Sequence, residues 1–392
     1  MNKIYLDHAA TTPVKPEVLD AMMPYFTQSF GNPSSIYQVA QINKKAIDDA
    51  RETIAKHLGA NTNEIFFTSG GTEADNWAIK GIVEANKNKG NHIITTKIEH
   101  HAVLHTCEYL EKQGFEVTYL DVNEEGVIDL EVLKAAIKDT TILISIMYAN
   151  NEVGTIMPVK EIGAIAKERG IAFHTDAVQA IGQVRIDVKE QNIDALSLSG
   201  HKIYGPKGIG VLYIRRGLRI TNLIHGGAQE RGRRAGTENV PAIVGIAKAM
   251  ELAYTDFEAK NERIKGLRDK LMNGILETIP YSKLNGSITN RLVNNVNIGF
   301  EFVEGESLLL LLDMNGVAAS SGSACTSGSL DPSHVLLALG LPHEKAHGSL
   351  RLTLGEGTTE QEVDYVLEKL PAIVQRMRDM SPLYEEFMKN NQ

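Results

Sequence analysis

Between residues 15 and 255, short apolar runs alternate with helix-like stretches, and no other feature of the chain constrains its fold as tightly. Such alternation buries its apolar faces as layers around a mostly parallel sheet, an α/β architecture. Four of the runs end in residues able to do chemistry. "EIFFTSGGTEADN" reads as a strand, a glycine turn at Gly70–Gly71 and a helix start. "TILISIMYANNEVG" reads as an apolar strand ending near Asn150 and Asn151. "GIAFHTDAVQA" follows a Lys/Arg-rich helix end stopped at Gly170 and reaches Asp176. "DALSLSGHKIYGPKGIG" ends at Ser199, His201 and Lys202. Ligands of open α/β sheets bind beyond the carboxyl ends of the strands, so these four ends point to one site.

From about residue 256 the pattern changes. Ile264, Leu267, Leu271 and Ile275 recur at helical spacing, "RLVNNVNIGF" alternates like a half-buried strand, and "ESLLLLLDMNG" reads as a helix stopped by Asn315–Gly316. "SHVLLALG" and residues 360–378 read as the remaining helices. The division expected is a large domain over 15–255 and a smaller α+β domain over 256–392.

Composition excludes several classes. The formal net charge is −9, so no basic field would attract nucleic acid or an anionic membrane. The longest purely apolar run near the C-terminal half, "LLLLL", is far short of a membrane span. The first residues, "MNKIYLDHAATTPVK", hold no apolar signal segment, which points to a soluble cytoplasmic protein. Two cysteines build neither a disulfide framework nor a C-x-x-C zinc site.

The chemistry-bearing residues suit a phosphorylated aldehyde cofactor. Lys202, at a strand end and followed by Gly205, Pro206, Gly208 and Gly210, is either a surface lysine beside a turn or a Schiff-base lysine for pyridoxal phosphate. Asp176, 26 residues upstream, is a carboxylate able to keep a pyridine nitrogen protonated, or a helix cap, or both. Gln179 has the reach for the ring's phenolic oxygen. The Gly70–Gly71–Thr72 turn offers backbone N–H groups at a helix N-terminus for a phosphate, with Ser199 and His201 as further donors. It matches neither a nucleotide P-loop nor G-x-G-x-x-G. One histidine of His100, His101 and His105 suits ring stacking and proton transfer; His101 and His105 also stand at i and i+4, but no third metal ligand stands out. Cys107 reads as buried filler. Arg231, Arg233 and Arg234 form either a solvated basic loop or an interface segment contributing to an anion site. Arg351 in "LRLTLG" is a natural clamp for a carboxylate.

With these residues placed, the chain resembles the cysteine desulfurases of the class V aminotransferase family, in the branch serving nitrogenase and general iron–sulfur cluster assembly. The likeness runs end to end, through "YLDHAATTP", "GNPSS", "TSGGTEADN", "EHHAVL", "NNEVG", "HTDAVQ", "SGHKIYGPKGIG", "GGAQERGRRAGTEN", "SSGSACTSGS" and "LRLTLG". Ala228, Ala235 and Thr353 depart mildly from the family's pattern. The resemblance implies a fold-type-I pyridoxal 5'-phosphate enzyme with a seven-stranded sheet, working as a homodimer, with residues 1–14 joined to the small domain. It implies roles for Lys202 as the Schiff-base lysine, His100 as the ring-stacking histidine, and Asp176 and Gln179 as partners of the ring nitrogen and phenolate. It implies Gly71, Thr72, Ser199 and His201 at the phosphate, and Thr237 reaching it from the other subunit. It implies Asn151 at cofactor and substrate, and Arg351 as the clamp on the substrate carboxylate.

Cys325 matches the cysteine that takes sulfur from L-cysteine as a persulfide and hands it to an iron–sulfur scaffold protein. Its setting, "ASSGSACTSGS", is all small or polar residues, a composition suited to a carrier that serves two places. No resident metal is implied; transient cluster ligation by Cys325 is the one metal contact left open. A selenocysteine lyase, an ordinary aminotransferase and a non-catalytic scaffold are the competing readings.

Overall fold

The computed structural model describes residues 3–321 and 332–390, so Cys325 lies outside the described residues. Seven strands make the central sheet: β2 (Ile65–Thr68), β3 (His92–Thr96), β4 (Glu116–Leu120), β5 (Thr141–Ser145), β6 (Ala172–Asp176), β7 (Ala195–Ser199) and β8 (Gly210–Ile214). Their spatial order is β2-β8-β7-β6-β5-β3-β4. β8 is antiparallel to both neighbours and the other pairings are parallel. β3, β5, β7 and β8 are buried along their whole length and β6 in all but its first residue, as expected of strands covered on both faces by helices.

The strand order reverses between β3 and β5, and a crevice opens there. The helix Gly71–Asn86 lies on the sheet through Ala74, Trp77, Ala78, Ile82 and Val83. On the other face, Val240–Tyr254 packs with Gln38–Leu58. The helix Val159–Arg169 ends where expected, at Gly170 in the left-handed conformation (φ 66°).

A separate apolar cluster gathers Leu6 with Leu271, Ile275, Phe300, Leu312, Leu352 and Val366. Its frame is the antiparallel sheet of β9 (Ser282–Leu284), β10 (Asn295–Phe300) and β12 (Ser349–Thr353), in the order β12-β10-β9. The short parallel pair of β1 (Ile4–Tyr5) and β11 (Val317–Ala318) ties the N-terminal segment to it. The helices Phe257–Thr278 and Glu360–Asp379 cover this sheet, the second opened by a Thr359/Glu362 capping box.

Two boundaries differ from the sequence reading. β5 stops at Ser145, and Ile146–Ala149 continue as irregular buried chain. There Asn150 folds the backbone into a turn, its Oδ1 accepting the N–H groups of Glu152 and Val153 at 2.8 and 2.9 Å. The last helix is not the one ending near 378: a further helix, Pro382–Asn390, follows. Its Phe387 ring packs tilted against Phe302 and edge-on to Tyr281, with centroids 4.9 and 5.2 Å apart, which gives the tail an apolar seat that its charge pattern hid.

Candidate active site

Ten of the residues singled out in the sequence line one cavity of about 330 Å³ at the carboxyl edge of the sheet: Gly71, Thr72, His100, Asn151, Asp176, Gln179, Ser199, His201, Lys202 and Arg351. They come together from several strand ends. β2 delivers Gly71 and Thr72, β3 delivers His100, β6 delivers Asp176, and β7 delivers Ser199, His201 and Lys202. Arg351 arrives from β12 of the second sheet.

The N-terminal segment closes the cavity. Lys202 Nζ donates to the carbonyls of Ala9 and Ala10, the second at 2.8 Å, and Gln179 Nε2 donates to the Ala9 carbonyl at 2.9 Å. Sequence reasoning missed Ala9 and Ala10, because backbone carbonyls leave no signature in residue type.

Asp176 is 6% exposed and accepts the Val178 N–H at 2.9 Å. Burial pushes its carboxyl up to about 6, against the opposing pull of that hydrogen bond and the Lys202 charge. His100 caps the helix His101–Glu111, its Nδ1 accepting the Ala102 N–H at 3.1 Å. The neutral ring therefore carries its proton on Nε2. Burial, then the Lys202 charge, lowers its pKa to about 4. His201 is lowered to about 4 for the same reasons, and its Nδ1 meets Thr11 Oγ1 at 3.1 Å.

Arg351 is 2% exposed. Its guanidinium donates to Asp7 Oδ1 at 2.9 Å and to the Asn151 carbonyl at 3.0 Å, while Nε has no partner among the described residues. A buried fork so poised suits an incoming carboxylate.

Two buried acids also went unread. Asp75, on the first turn of the helix Gly71–Asn86, lines the cavity and leaves Oδ1 without a hydrogen bond among the described residues. Its spacing of three from Thr72 was the available signal. Burial and the charge of Asp176 push its carboxyl well above the carboxylate range. Glu99, beside His100, accepts from Thr96 Oγ1 at 2.7 Å and Met147 N–H at 3.0 Å, and burial raises it to about 8. Acceptor atoms of Asp75, His100 and Asp176 lie within 4.8 Å of one another. A cation would need such a trio, yet here it shares its cavity with the Lys202 amine, which competes with a metal.

Other candidates fall elsewhere. The His101 ring stacks on His105 with centroids 5.0 Å apart and lies 4.8 Å from His334, a packed row without a converging point. Cys107 is fully buried, and burial pushes its thiol up. Thr237 is exposed and does not line the cavity of its own chain.

The residues present fit pyridoxal phosphate. The cavity combines an amine, a buried carboxylate, a flat imidazole and a helix N-terminus, which are the chemical partners of its aldehyde, ring nitrogen, ring face and phosphate. The cradle depends on glycine: a Cβ on Gly71 would stand 2.8 Å from Val178 Cγ2.

The aminotransferase class-V family model matches residues 4–366. The chain belongs to the class-V aminotransferase family. Cysteine desulfurase IscS of Clostridium botulinum strain Hall is 62% identical over 395 residues, covering all of both chains. Cysteine desulfurase IscS of Methanosarcina thermophila is 63% identical, covering 97% of this chain and 94% of its own. Among solved structures, a NifS-like protein superposes with a TM-score of 0.90 at 40% identity, covering 95% of this chain and 99% of its own. SspA in complex with cysteine superposes with a TM-score of 0.81 at 42% identity, covering 91% of this chain and all of its own.

Proposed function

We propose that the protein is a pyridoxal-phosphate-dependent cysteine desulfurase that converts L-cysteine to L-alanine and passes the sulfur, as a persulfide on Cys325, to an iron–sulfur scaffold protein. One observation carries the reading: Lys202, Asp176, His100 and Arg351 share a cavity in a chain 62% identical, end to end, to named cysteine desulfurases.

When bound, pyridoxal phosphate supplies an aldehyde for amines and a protonated ring that draws electrons from the bonds at the substrate's Cα. Lys202 Nζ would hold the aldehyde, and its amine is the group placed to take the proton from the substrate's Cα. Asp176 would supply the carboxylate partner of the ring nitrogen, and His100 would meet the flat ring, with its proton on Nε2. The Gly71–Thr72 turn, Ser199 and His201 hold the phosphate, Gln179 serves the phenolic oxygen, and Asn151 orients cofactor and substrate. Arg351 fixes the substrate carboxylate and so aims the Cβ–S bond. The Cys325 thiolate bonds to the substrate sulfur as that bond breaks. Its electron pair stays with the carbon fragment, which takes up protons and leaves as alanine.

A homodimer accompanies this reading. Phe26, Phe30, Ile36, Tyr37 and Ile42 are large exposed apolar residues of the helices Pro24–Thr27 and Gln38–Leu58 and of the segment between them, Ile36 at 95%, and patches of this kind mark interfaces. Exposed Thr237 is suited to reach a second copy. The separate apolar cluster around Leu6, Leu271 and Val366 supports a large domain over 15–255 and a small one over 1–14 and 256–392, with Leu292, Val335, Leu336, Leu339 and Ala346 of the small one packed into the large domain's core. No helix among the described residues is long and apolar enough to cross a membrane, and we place the enzyme in the cytoplasm.

The test is a visible spectrum of purified protein before and after L-cysteine, with alanine and sulfide assayed together. Cofactor absorbance that responds to L-cysteine, with equal alanine and transferred sulfur, is expected. A colourless protein that binds no pyridoxal phosphate would defeat the reading. Equal activity with a 2-oxo acid acceptor and no sulfur release would replace it with an aminotransferase.

A further inference from the structure

The loop over 225–239 contains two ion pairs and a strained turn that the chemistry above does not use. Glu230 and Arg231 both take left-handed backbone angles (φ 47° and 57°), which residues with side chains rarely adopt. Strain of this kind persists only where the surroundings over-determine it. They do so here. The Glu230 carboxylate, 5% exposed, takes a fork from Arg51 at 2.8 and 2.8 Å and the Phe67 N–H at 3.0 Å. Arg231 lies over the Phe66 ring, 4.4 Å from its centroid, and donates to the Ile65 carbonyl at 2.8 Å.

Arg234 then grips Glu73 through Nε and Nη2 at 2.8 and 3.0 Å. Glu73 follows Thr72 directly and also accepts the Ser69 N–H at 2.8 Å, so this pair clips the loop onto the phosphate cradle. Gly236 (φ 108°) leaves space for the grip, since a Cβ there would stand 3.3 Å from Arg234 Nη1. Its N–H is held by Gln229 Oε1 at 3.1 Å. The next residue is Thr237, exposed and outside its own cavity. The loop is therefore fastened beside one cradle while Thr237 stands exposed outside that cavity.

We propose that Arg234 is a positioning residue that acts in trans: anchored on Glu73 beside its own cradle, it aims Thr237 at the phosphate held by the partner subunit. The inference rests on the dimeric reading above. The Glu73–Arg234 pair then links the two cofactor sites, and a phosphate seated in one cradle steadies the threonine that serves the other.

Heterodimers with two affinity tags test this through cofactor retention, read as visible absorbance during dialysis. One chain carries Lys202→Ala, so only its partner holds cofactor covalently. With Arg234→Gln added to the Lys202→Ala chain, loss from the intact partner should be faster than in the control by about tenfold, the worth of one charge-assisted contact. With Arg234→Gln on the chain that keeps Lys202, retention should match the control. Thr237→Val, at an exposed position that folding tolerates, should give the same two results. The opposite pattern for Arg234→Gln overturns the proposal, because the arginine would then serve its own cradle. So does equal loss in both arrangements, no loss in either, or a trans effect of Thr237→Val that Arg234→Gln does not share. A monomeric wild-type mass, measured first, instead defeats the dimeric reading itself.

Discussion

Burial sets the charge of the groups around Lys202, and it does so in opposite directions. His100, His174 and His201 are held neutral, lowered to about 4, 3 and 4. The unfolded chain takes up protons at these histidines first, so their contribution to stability is present above about pH 6.5 and is lost as pH falls toward 4. Glu99 behaves oppositely. Its folded pKa of about 8 lies above the ordinary 4.5, so its contribution is complete below about pH 4.5 and is lost as pH rises through 8. Glu99→Gln, which mimics the protonated acid, should melt progressively above wild type as pH is raised from 5 to 8, by on the order of a few kcal/mol at the upper end. Parallel melting curves would show that Glu99 is not held protonated. A second residue-scale expectation concerns Arg351. Lysine cannot supply a planar fork, so Arg351→Lys should raise KM for L-cysteine by about tenfold or more while the cofactor spectrum persists. An unchanged KM would remove Arg351 from the substrate site. At this scale the side chains were legible because each has a distinct chemistry at a strand end. Ala9, Ala10 and Asp7 were not, since their contribution comes from where a distant segment crosses the cavity.

The helix Gly71–Asn86 shows what an element adds. Its first turn lines the cavity with Gly71, Thr72 and Asp75, while its later turns are buried through Trp77, Ala78 and Ile82. The apolar face fixes the helix against the sheet, and that fixes where its N–H groups point. Gly71 has no Cβ to collide with Val178, two residues beyond Asp176, so the proposed phosphate cradle packs closely against the turn that follows the proposed ring-nitrogen partner. Gly71→Ala should push them apart and weaken pyridoxal phosphate binding by about tenfold, by fluorescence titration, with the fold intact by circular dichroism. Wild-type affinity would show that the close approach is dispensable. The strand-turn-helix pattern here was readable from "EIFFTSGG". The end of β5 was not: Ile146 to Ala149 are as apolar as a strand, and only the Asn150 turn decides where pairing stops. The helix Pro382–Asn390 was hidden because its seat, Phe302 and Tyr281, lies far away in sequence.

For the molecule as a whole, alternation along 15–255 was enough to read a mostly parallel sheet, because few architectures bury such runs. The strand order was not readable, since it depends on which crossovers pack, and the antiparallel β8 carries no mark in its sequence. The exposed apolar residues from Phe26 to Ile42 make sense in a pair of chains: light scattering should give twice the mass of one chain, and Ile36→Asp should halve it. A monomeric wild type would leave that patch and Thr237 without a purpose.

The most direct measurement is mass spectrometry of the peptide containing Cys325 after one turnover with L-cysteine, with alanine counted in the same sample. The proposed chemistry predicts one added sulfur atom on Cys325 for each alanine released, and neither product from Lys202→Ala. Alanine formed at the wild-type rate by Cys325→Ala, or sulfur found on Cys107 instead, would contradict it.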